Sequence, residues 1–204
     1  MNKSISKEII LASGSENKRR LLESIGLPFK VIPSEIDEKQ IINSDPLARV
    51  QMIAKAKAYA VAENNSGLII AADTISVYDG KEYHKPTSKK DAKKMLRELS
   101  GKIGQAITGI CVLDTEVHKE KVSHSIVNMA CKELTDKEID YYVRTKPVTE
   151  WAAAYNPLDD LSVQFFRPVG KYVYKIEYYG LPIDVVSDAL REIGFEVDLS
   201  KFKA

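Results

Sequence analysis

The run LIIAADTISVYDG, residues 68–80, is the most informative part of the sequence for the fold. Its five opening apolar residues predict a strand buried on both faces, and polar and apolar residues alternate toward its end. Asp79-Gly80 is a hairpin turn signal, so a short returning strand is predicted over 81–84. Asp73 interrupts the apolar run, and a buried carboxylate needs a cation, a metal or hydrogen-bond donors nearby.

On both sides of this run, helix-like and strand-like stretches alternate, which predicts an α/β fold with a long mixed sheet rather than a purely parallel one. The length of 204 residues suits one domain, residues 1–204, with two lobes flanking a cleft. Further strands are predicted over 9–13, 29–34, 105–114, 121–132, 163–167 and 172–178. Five helices are predicted over 18–25, 46–63, 88–99, 135–143 and 182–193, with Asp45, Ser88 and Thr135 as caps.

Composition excludes several classes of protein. The 30 Lys and Arg residues against 29 Asp and Glu give a net charge of +1, without the basic excess of a protein that binds a nucleic acid polymer. The apolar runs are too short for a membrane span, and the first ten residues lack the apolar core of a signal peptide. Cys111 and Cys131 are predicted to be buried thiols in a reducing compartment, which favours a cytoplasmic location.

A small polar loop joins the first predicted strand to the first helix. Ser13, Ser15 and Asn17 supply hydroxyl and amide groups there, and Lys18 opens a run of three cations. Because the free N–H groups of a helix start favour an anion, this loop is a candidate phosphate cradle. The alternative is a capped helix with a solvated basic face.

Four other side chains are candidates for the same chemistry. Lys85, just before a proline, is expected to approach Asp73 across the predicted hairpin, and Lys57 could point inward from a helix rich in alanine. Glu38 ends the acidic cluster 34–38, and clustered carboxylates near phosphate-binding cations suggest Mg²⁺. Each also has a plain interpretation. Asp73 would be a carboxylate on the solvent side of the sheet, and Lys85 an ordinary loop lysine. Lys57 would lie on a solvated helix edge, and Glu38 in an exposed acidic loop.

Eight short motifs occur in the order and approximate spacing of the Maf family. They are LASGS at 11–15, IDE at 36–38, AKAKA at 54–58, ADT at 72–74, KP at 85–86, LSG at 99–101, TG at 108–109 and GLP at 180–182. The sequence thus resembles Maf proteins, which are nucleoside triphosphate pyrophosphatases, over about residues 9–194. The resemblance implies an α/β fold with a cleft between two lobes, shared with the inosine triphosphatases, and a homodimer.

The resemblance also implies roles for individual residues. Asp73 matches the family's proton acceptor, Glu38 its acidic residue near the metal and phosphates, and Lys57 and Lys85 its cleft lysines. The catalytic set is therefore expected to be Asp73, Glu38 and Lys85, with Mg²⁺ or Mn²⁺ held by Glu38 and Asp73. The expected substrate-binding residues are Ser13, Ser15, Asn17, Lys18, Lys57, Thr74 and Thr108.

The sequence departs from the family pattern in three places. Asn17 stands where the phosphate loop usually has its first arginine, and Gly104 where a histidine usually precedes the Thr-Gly pair. The usual Lys-Ala-Gly-x-Tyr-x-Ile-Gln-Gly segment aligns with residues 151–158, so that Trp151 replaces its lysine, and Gln164 is a displaced substitute for its glutamine. A dTTP/UTP preference is therefore not carried over.

The expected reaction is Mg²⁺-dependent hydrolysis of a nucleoside triphosphate to the monophosphate and pyrophosphate. Asn17 resembles the loop of the inosine triphosphatases, so an inosine or xanthosine triphosphate is the first alternative substrate. The altered segment 151–158 motivates a second alternative, a nucleotide-binding regulator that does not hydrolyse.

Overall fold

The computed structural model describes residues 7–24, 26, 28–170 and 180–195. The strand predicted over 172–178 lies outside these residues. Across the described part of the chain, no helix combines the length and apolar character that a membrane crossing requires.

The elements follow the predicted alternation. The strands are β1 (Ile9–Leu11), β2 (Lys30–Val31), β3 (Leu68–Tyr78), β4 (Lys81–Tyr83), β5 (Ile103–Asp114), β6 (Lys119–Cys131) and β7 (Phe166–Val169). The α-helices are α1 (Glu16–Glu23), α2 (Pro46–Ala62), α3 (Lys89–Leu99), α4 (Asp136–Thr145), α5 (Ser162–Phe165) and α6 (Ile183–Glu192). Short 3-10 helices span Glu38–Gln40, Val148–Glu150 and Ala152–Ala154.

The strands form one mixed sheet, as predicted. Its order is β2-β1-β3-β5-β6-β7, and β4 pairs with β3. Strand β1 is parallel to both β2 and β3, whereas β3–β4 and β6–β7 are antiparallel. The β3–β4 hairpin turns at Asp79 and Gly80, which both have the positive φ values, 51° and 74°, that such a turn requires.

The chain divides into two compact units. The first takes its described residues from 1–73, 108–125 and 180–204. Alternate residues of β1, β3 and β5 enter two separate apolar clusters in this unit, because successive side chains of a strand point to opposite faces. Helices α1 and α6 cover one face, through Leu22, Val186 and Leu190, and α2 covers the other through Ala54, Ala58 and Val61.

The second unit takes its described residues from 74–107 and 126–179. One apolar cluster holds it together, with α3 and α4 contributing Leu96, Leu99, Ile139 and Tyr142. A full capping box at Thr135 and Glu138 starts α4, as the sequence predicts. Both cysteines are free and buried, Cys131 in this unit and Cys111 in the first, which confirms that they are buried thiols.

The prediction of a strand over 163–167 is wrong in its first half. The short helix α5 occupies Ser162–Phe165, and β7 starts only at Phe166. The cause lies upstream, where the Asp159 carboxylate accepts hydrogen bonds from the backbone N–H groups of Leu161 (3.1 Å) and Ser162 (3.0 Å). A short apolar run fits either structure, and this cap selects the helical turn.

Candidate active site

The first three strands are parallel, so their carboxyl ends lie at the same edge of the sheet. The chain runs from β1 through α1 to β2 on one side of β1, and then through α2 to β3 on its other side. Strand order therefore reverses between β1 and β3, and in open α/β sheets ligands bind outside the carboxyl ends of strands at such a point. The loop that starts at Ser13 leaves β1 at this edge, and Asp73 lies at the same edge of β3, three residues after the Leu11–Ile70 pair.

Strand alternation and helix periodicity bring Asp73 and Lys57 together. Ile69 and Ala71 face α2, so Asp73, two residues further on, faces the same side of the sheet. On α2 the buried positions recur every three to four residues, and Lys57 occupies one of them beside Ala58. The lysine therefore points inward, as one of the two sequence interpretations predicts, and the carboxylate has the cation that its burial requires.

Lys57 is the centre of the site. Its Nζ donates a hydrogen bond to Asp73 Oδ1 at 2.8 Å and lies 2.7 Å from Glu38 Oε1. Lys57 and Asp73 are 9% and 8% exposed, whereas the Glu38 side chain is about half exposed. Burial alone would lower the pKa of Lys57, but the charges and hydrogen bonds of Asp73 and Glu38 outweigh it and raise this pKa above its usual value. The ammonium form therefore persists throughout the neutral range.

Two carboxylates of the acidic cluster 34–38, those of Asp37 and Glu38, have different partners. Asp37 caps the 3-10 helix that begins at Glu38, since its carboxylate accepts hydrogen bonds from Lys39 N and Gln40 Nε2, both at 3.1 Å. Glu38 is then the member that reaches Lys57. The cluster is thus neither a simple exposed loop nor a set of equivalent ligands.

The predicted phosphate loop lies at the start of α1. Ser13 Oγ accepts a hydrogen bond from Ser15 N (3.2 Å), which holds the turn between β1 and the helix. Ser15 is the N-terminal residue before α1, and its side chain makes no capping bond to the first-turn N–H groups. Asn17 and Lys18 are half-buried in the first turn. Arg19 is paired with Glu16 and Glu23 of its own helix.

Gly109 explains how α2 comes close enough to the sheet. Thr115 N donates a hydrogen bond to Gly67 O (3.0 Å), so the end of β5 meets the start of β3 and the two strands run antiparallel. Counting six residues along each strand from this pair places Gly109 opposite Asp73. A Cβ at Gly109 would lie only 2.4 Å from the carbonyl C and O of Val50 in α2. Glycine in a strand is a sequence signal of close backbone approach, which the Thr-Gly motif at 108–109 carries in addition to its resemblance to the family.

The remaining predicted residues take different positions. Thr108 is buried in the first unit, and alternation along β5 turns its side chain to the opposite face from Gly109. Thr74 is half-buried and Lys85 is exposed, and both belong to the second unit. The expected approach of Lys85 to Asp73, and the substrate contacts of these three residues, stay predictions.

Segment 151–158 has an unusual backbone. Trp151, which stands in the place of a family lysine, packs against the apolar cluster of the second unit. Ala153 and Ala154 adopt positive φ values of 55° and 61°, a conformation that favours glycine. Gln164, the proposed substitute for the family glutamine, is exposed on α5.

Glu38 and Asp73 suit a metal that arrives with a phosphate ligand. No group of three or more His, Cys, Asp or Glu side chains in the described ranges is arranged to hold an ion. The site instead offers two carboxylates around one ammonium nitrogen. Mg²⁺ is commonly bound by one or two carboxylates together with substrate phosphates, so this donor set fits Mg²⁺.

The chain is similar to several known proteins. A dTTP/UTP pyrophosphatase of Bacillus anthracis (strain CDC 684 / NRRL 3495) is 36% identical over 192 residues, covering 94% of this chain and 98% of that protein. One of Desulforamulus reducens is 35% identical over 94% of this chain and 99% of that protein. The solved Ham1 protein of Staphylococcus aureus has a TM-score of 0.46 and 19% identity, over 61% of this chain and 72% of that one. The family model described as Maf-like protein matches residues 8–193, and the chain belongs to the Maf family.

Proposed function

We propose that this protein hydrolyses a nucleoside triphosphate between its α- and β-phosphates, releasing a nucleoside monophosphate and pyrophosphate. The observation that carries the proposal is the buried Lys57 between Asp73 and Glu38, at the sheet edge where the Ser13–Lys18 loop meets a helix start. The family and the names of relatives at 35–36% identity support the same activity.

Asp73 is the residue suited to act on water. Lys57 engages its Oδ1, and its Oδ2 is the oxygen proposed to act on water. That oxygen can accept a proton from a water molecule as the water oxygen forms a bond to the α-phosphorus. The bond from this phosphorus to the bridging oxygen breaks, and the electron pair leaves with pyrophosphate.

The cations of the site balance the charge of the polyphosphate. Lys57 and Lys18 belong to the unit that carries Asp73, and Lys85 is proposed to join them. The N–H groups at the start of α1 add fixed donors to phosphate oxygens. In phosphoryl transfer such positioning and charge neutralisation supply most of the rate.

Glu38 and Asp73 would hold Mg²⁺, or Mn²⁺, together with the phosphates. The ion would withdraw charge from the phosphate oxygens as the bond to pyrophosphate breaks. With two protein ligands, the ion would take most of its coordination from phosphate and water, as Mg²⁺ usually does at a nucleotide.

A pyrimidine triphosphate is the first substrate to test, because relatives are named for dTTP and UTP. Asn17 favours a second candidate, inosine or xanthosine triphosphate, since this amide replaces the usual arginine on the first turn of α1. A panel of nucleotides, assayed by ion chromatography with each metal, separates them. The homodimer stays a prediction for sedimentation to test.

The catalytic role is tested with Asp73→Asn, which keeps the shape of the side chain but removes the proton acceptor. We expect pyrophosphate release to be lost while the urea-unfolding transition remains cooperative. Asp37→Asn is the matched control, because asparagine also caps a helix and the ion pair with Lys57 is made by Glu38. Wild-type turnover by Asp73→Asn would remove the residue from the mechanism, and tight nucleotide binding without turnover by the wild-type protein would favour the regulator.

A further inference from the structure

One ammonium group forms ion pairs with two carboxylates in the free protein. Lys57 Nζ lies 2.7 Å from Glu38 Oε1 and 2.8 Å from Asp73 Oδ1. These are the two side chains proposed to hold the metal. The position between them that a divalent ion would take is thus already filled by a positive charge of the protein itself.

The lysine is fixed in this position by its surroundings. Ala54, one turn earlier, and Ala58, the next residue, are fully buried against the sheet, and Lys57 is itself buried on the same face of α2. Its aliphatic chain cannot lie along open solvent as most lysine side chains do. A metal ion alone would enter next to this ammonium and would meet like-charge repulsion at close range.

From these contacts we infer that Lys57 acts as a resident cation that keeps Glu38 and Asp73 from binding a divalent metal until a nucleotide is present. The inference rests on the proposed function. A triphosphate carries enough negative charge to draw the ammonium from the carboxylates to its own oxygens. The two carboxylates then become available, so the metal binds together with the nucleotide and not before it.

The inference is tested by titrating the nucleotide-free protein with Mn²⁺ and following free Mn²⁺ by electron paramagnetic resonance. We expect weak binding to the wild type and binding about 10²–10³-fold tighter to Lys57→Met, since one unit of nearby repulsion is removed. Lys57→Arg keeps the charge and should stay weak. Lys55→Met is the matched control: this lysine is exposed on the same helix and pairs with Glu120, so the weak affinity should not change.

Equal Mn²⁺ affinity of wild type and Lys57→Met would overturn the inference. If Lys57→Met does not fold, the inference is tested on the wild-type protein alone, through the magnetic resonance signal of Lys57. With lysines labelled with carbon-13 at the ε position, and Lys57→Arg assigning the signal, Mg²⁺ alone should leave the Lys57 resonance in place. Mg²⁺ together with a non-hydrolysable triphosphate should shift it. A shift on adding Mg²⁺ alone would refute the ordered binding.

Failure of this inference and failure of the proposed function give different results. Pyrophosphate release by the wild type reports on the function and does not depend on the order of binding. The Mn²⁺ titration uses no nucleotide and reports only on Lys57. A protein that turns over nucleotide but binds Mn²⁺ tightly when nucleotide-free would keep the function and lose the inference.

Discussion

Replacing Gly109 by alanine would disturb the site without touching any of its charged groups. The added Cβ would lie 2.4 Å from the backbone C and O of Val50, whereas ordinary contact begins at 3.4 Å. Backbone cannot rotate away as a side chain can, so α2 has to retreat from the sheet by about 1 Å. Lys57 is on the same helix, about 10 Å further along its axis.

This retreat sets the size of the expected effects. The Lys57–Asp73 hydrogen bond of 2.8 Å would stretch beyond the useful range of about 3.2 Å. A misplacement of about 1 Å in a catalytic site costs about 10²-fold in rate. Overpacking of this kind costs about 1–3 kcal/mol of stability. We therefore expect a folded protein with a much lower kcat for pyrophosphate release.

Gly104→Ala is the control for loss of stability alone. It places the same methyl group on the same strand, 2.4–2.5 Å from the ring of Tyr78, in the second unit. Urea unfolding should show a comparable loss of stability in both variants, and only Gly109→Ala should lose about 10² in kcat. Equal activity of the two variants would refute the idea that Gly109 sets the position of Lys57.

Two further predictions concern the second unit. Ala153→Gly should leave the free energy of unfolding in urea nearly unchanged, because relief of about 1 kcal/mol of left-handed strain offsets the flexibility of glycine. Ala152→Gly, the control, should lower the free energy of unfolding by about 1 kcal/mol. Equal losses of stability in the two variants would contradict the strain at Ala153. The Lys132 ammonium and the capping hydrogen bonds from Thr135 lower the pKa of Glu138 from 4.5 to about 2. Its charge therefore stabilises the fold above pH 4.5, and this contribution disappears as the pH falls toward about 2. The stability difference between wild type and Glu138→Gln should shrink over that interval, and a constant difference would refute the assignment.

Local sequence patterns predicted part of the site. The burial of Asp73 was expected because it interrupts an apolar run, and Lys57 was expected to be able to point inward from its helix. Their pairing was not predicted, because Lys85 was the cation expected near Asp73. The Asp79-Gly80 turn and the Thr135 capping box were equally local signals, and both are confirmed. Such features are predictable because a few neighbouring residues determine them.

Features that depend on a distant partner escaped prediction. The sequence could not show which carboxylate of the cluster 34–38 reaches Lys57, because only the backbone of the 3-10 helix makes Asp37 a cap. Gly109 is informative only once α2 is known to pass over it. Helix α5 replaced half of a predicted strand because the Asp159 side chain caps the turn before it.

The most direct test of the account is hydrolysis in water enriched in oxygen-18, with mass spectrometry of both products. Attack on the α-phosphorus, with Asp73 as proton acceptor, predicts that the label enters the nucleoside monophosphate and that pyrophosphate carries none. Asp73→Asn should give neither labelled product. Label in pyrophosphate, or release of orthophosphate in place of pyrophosphate, would contradict the reaction proposed for this site.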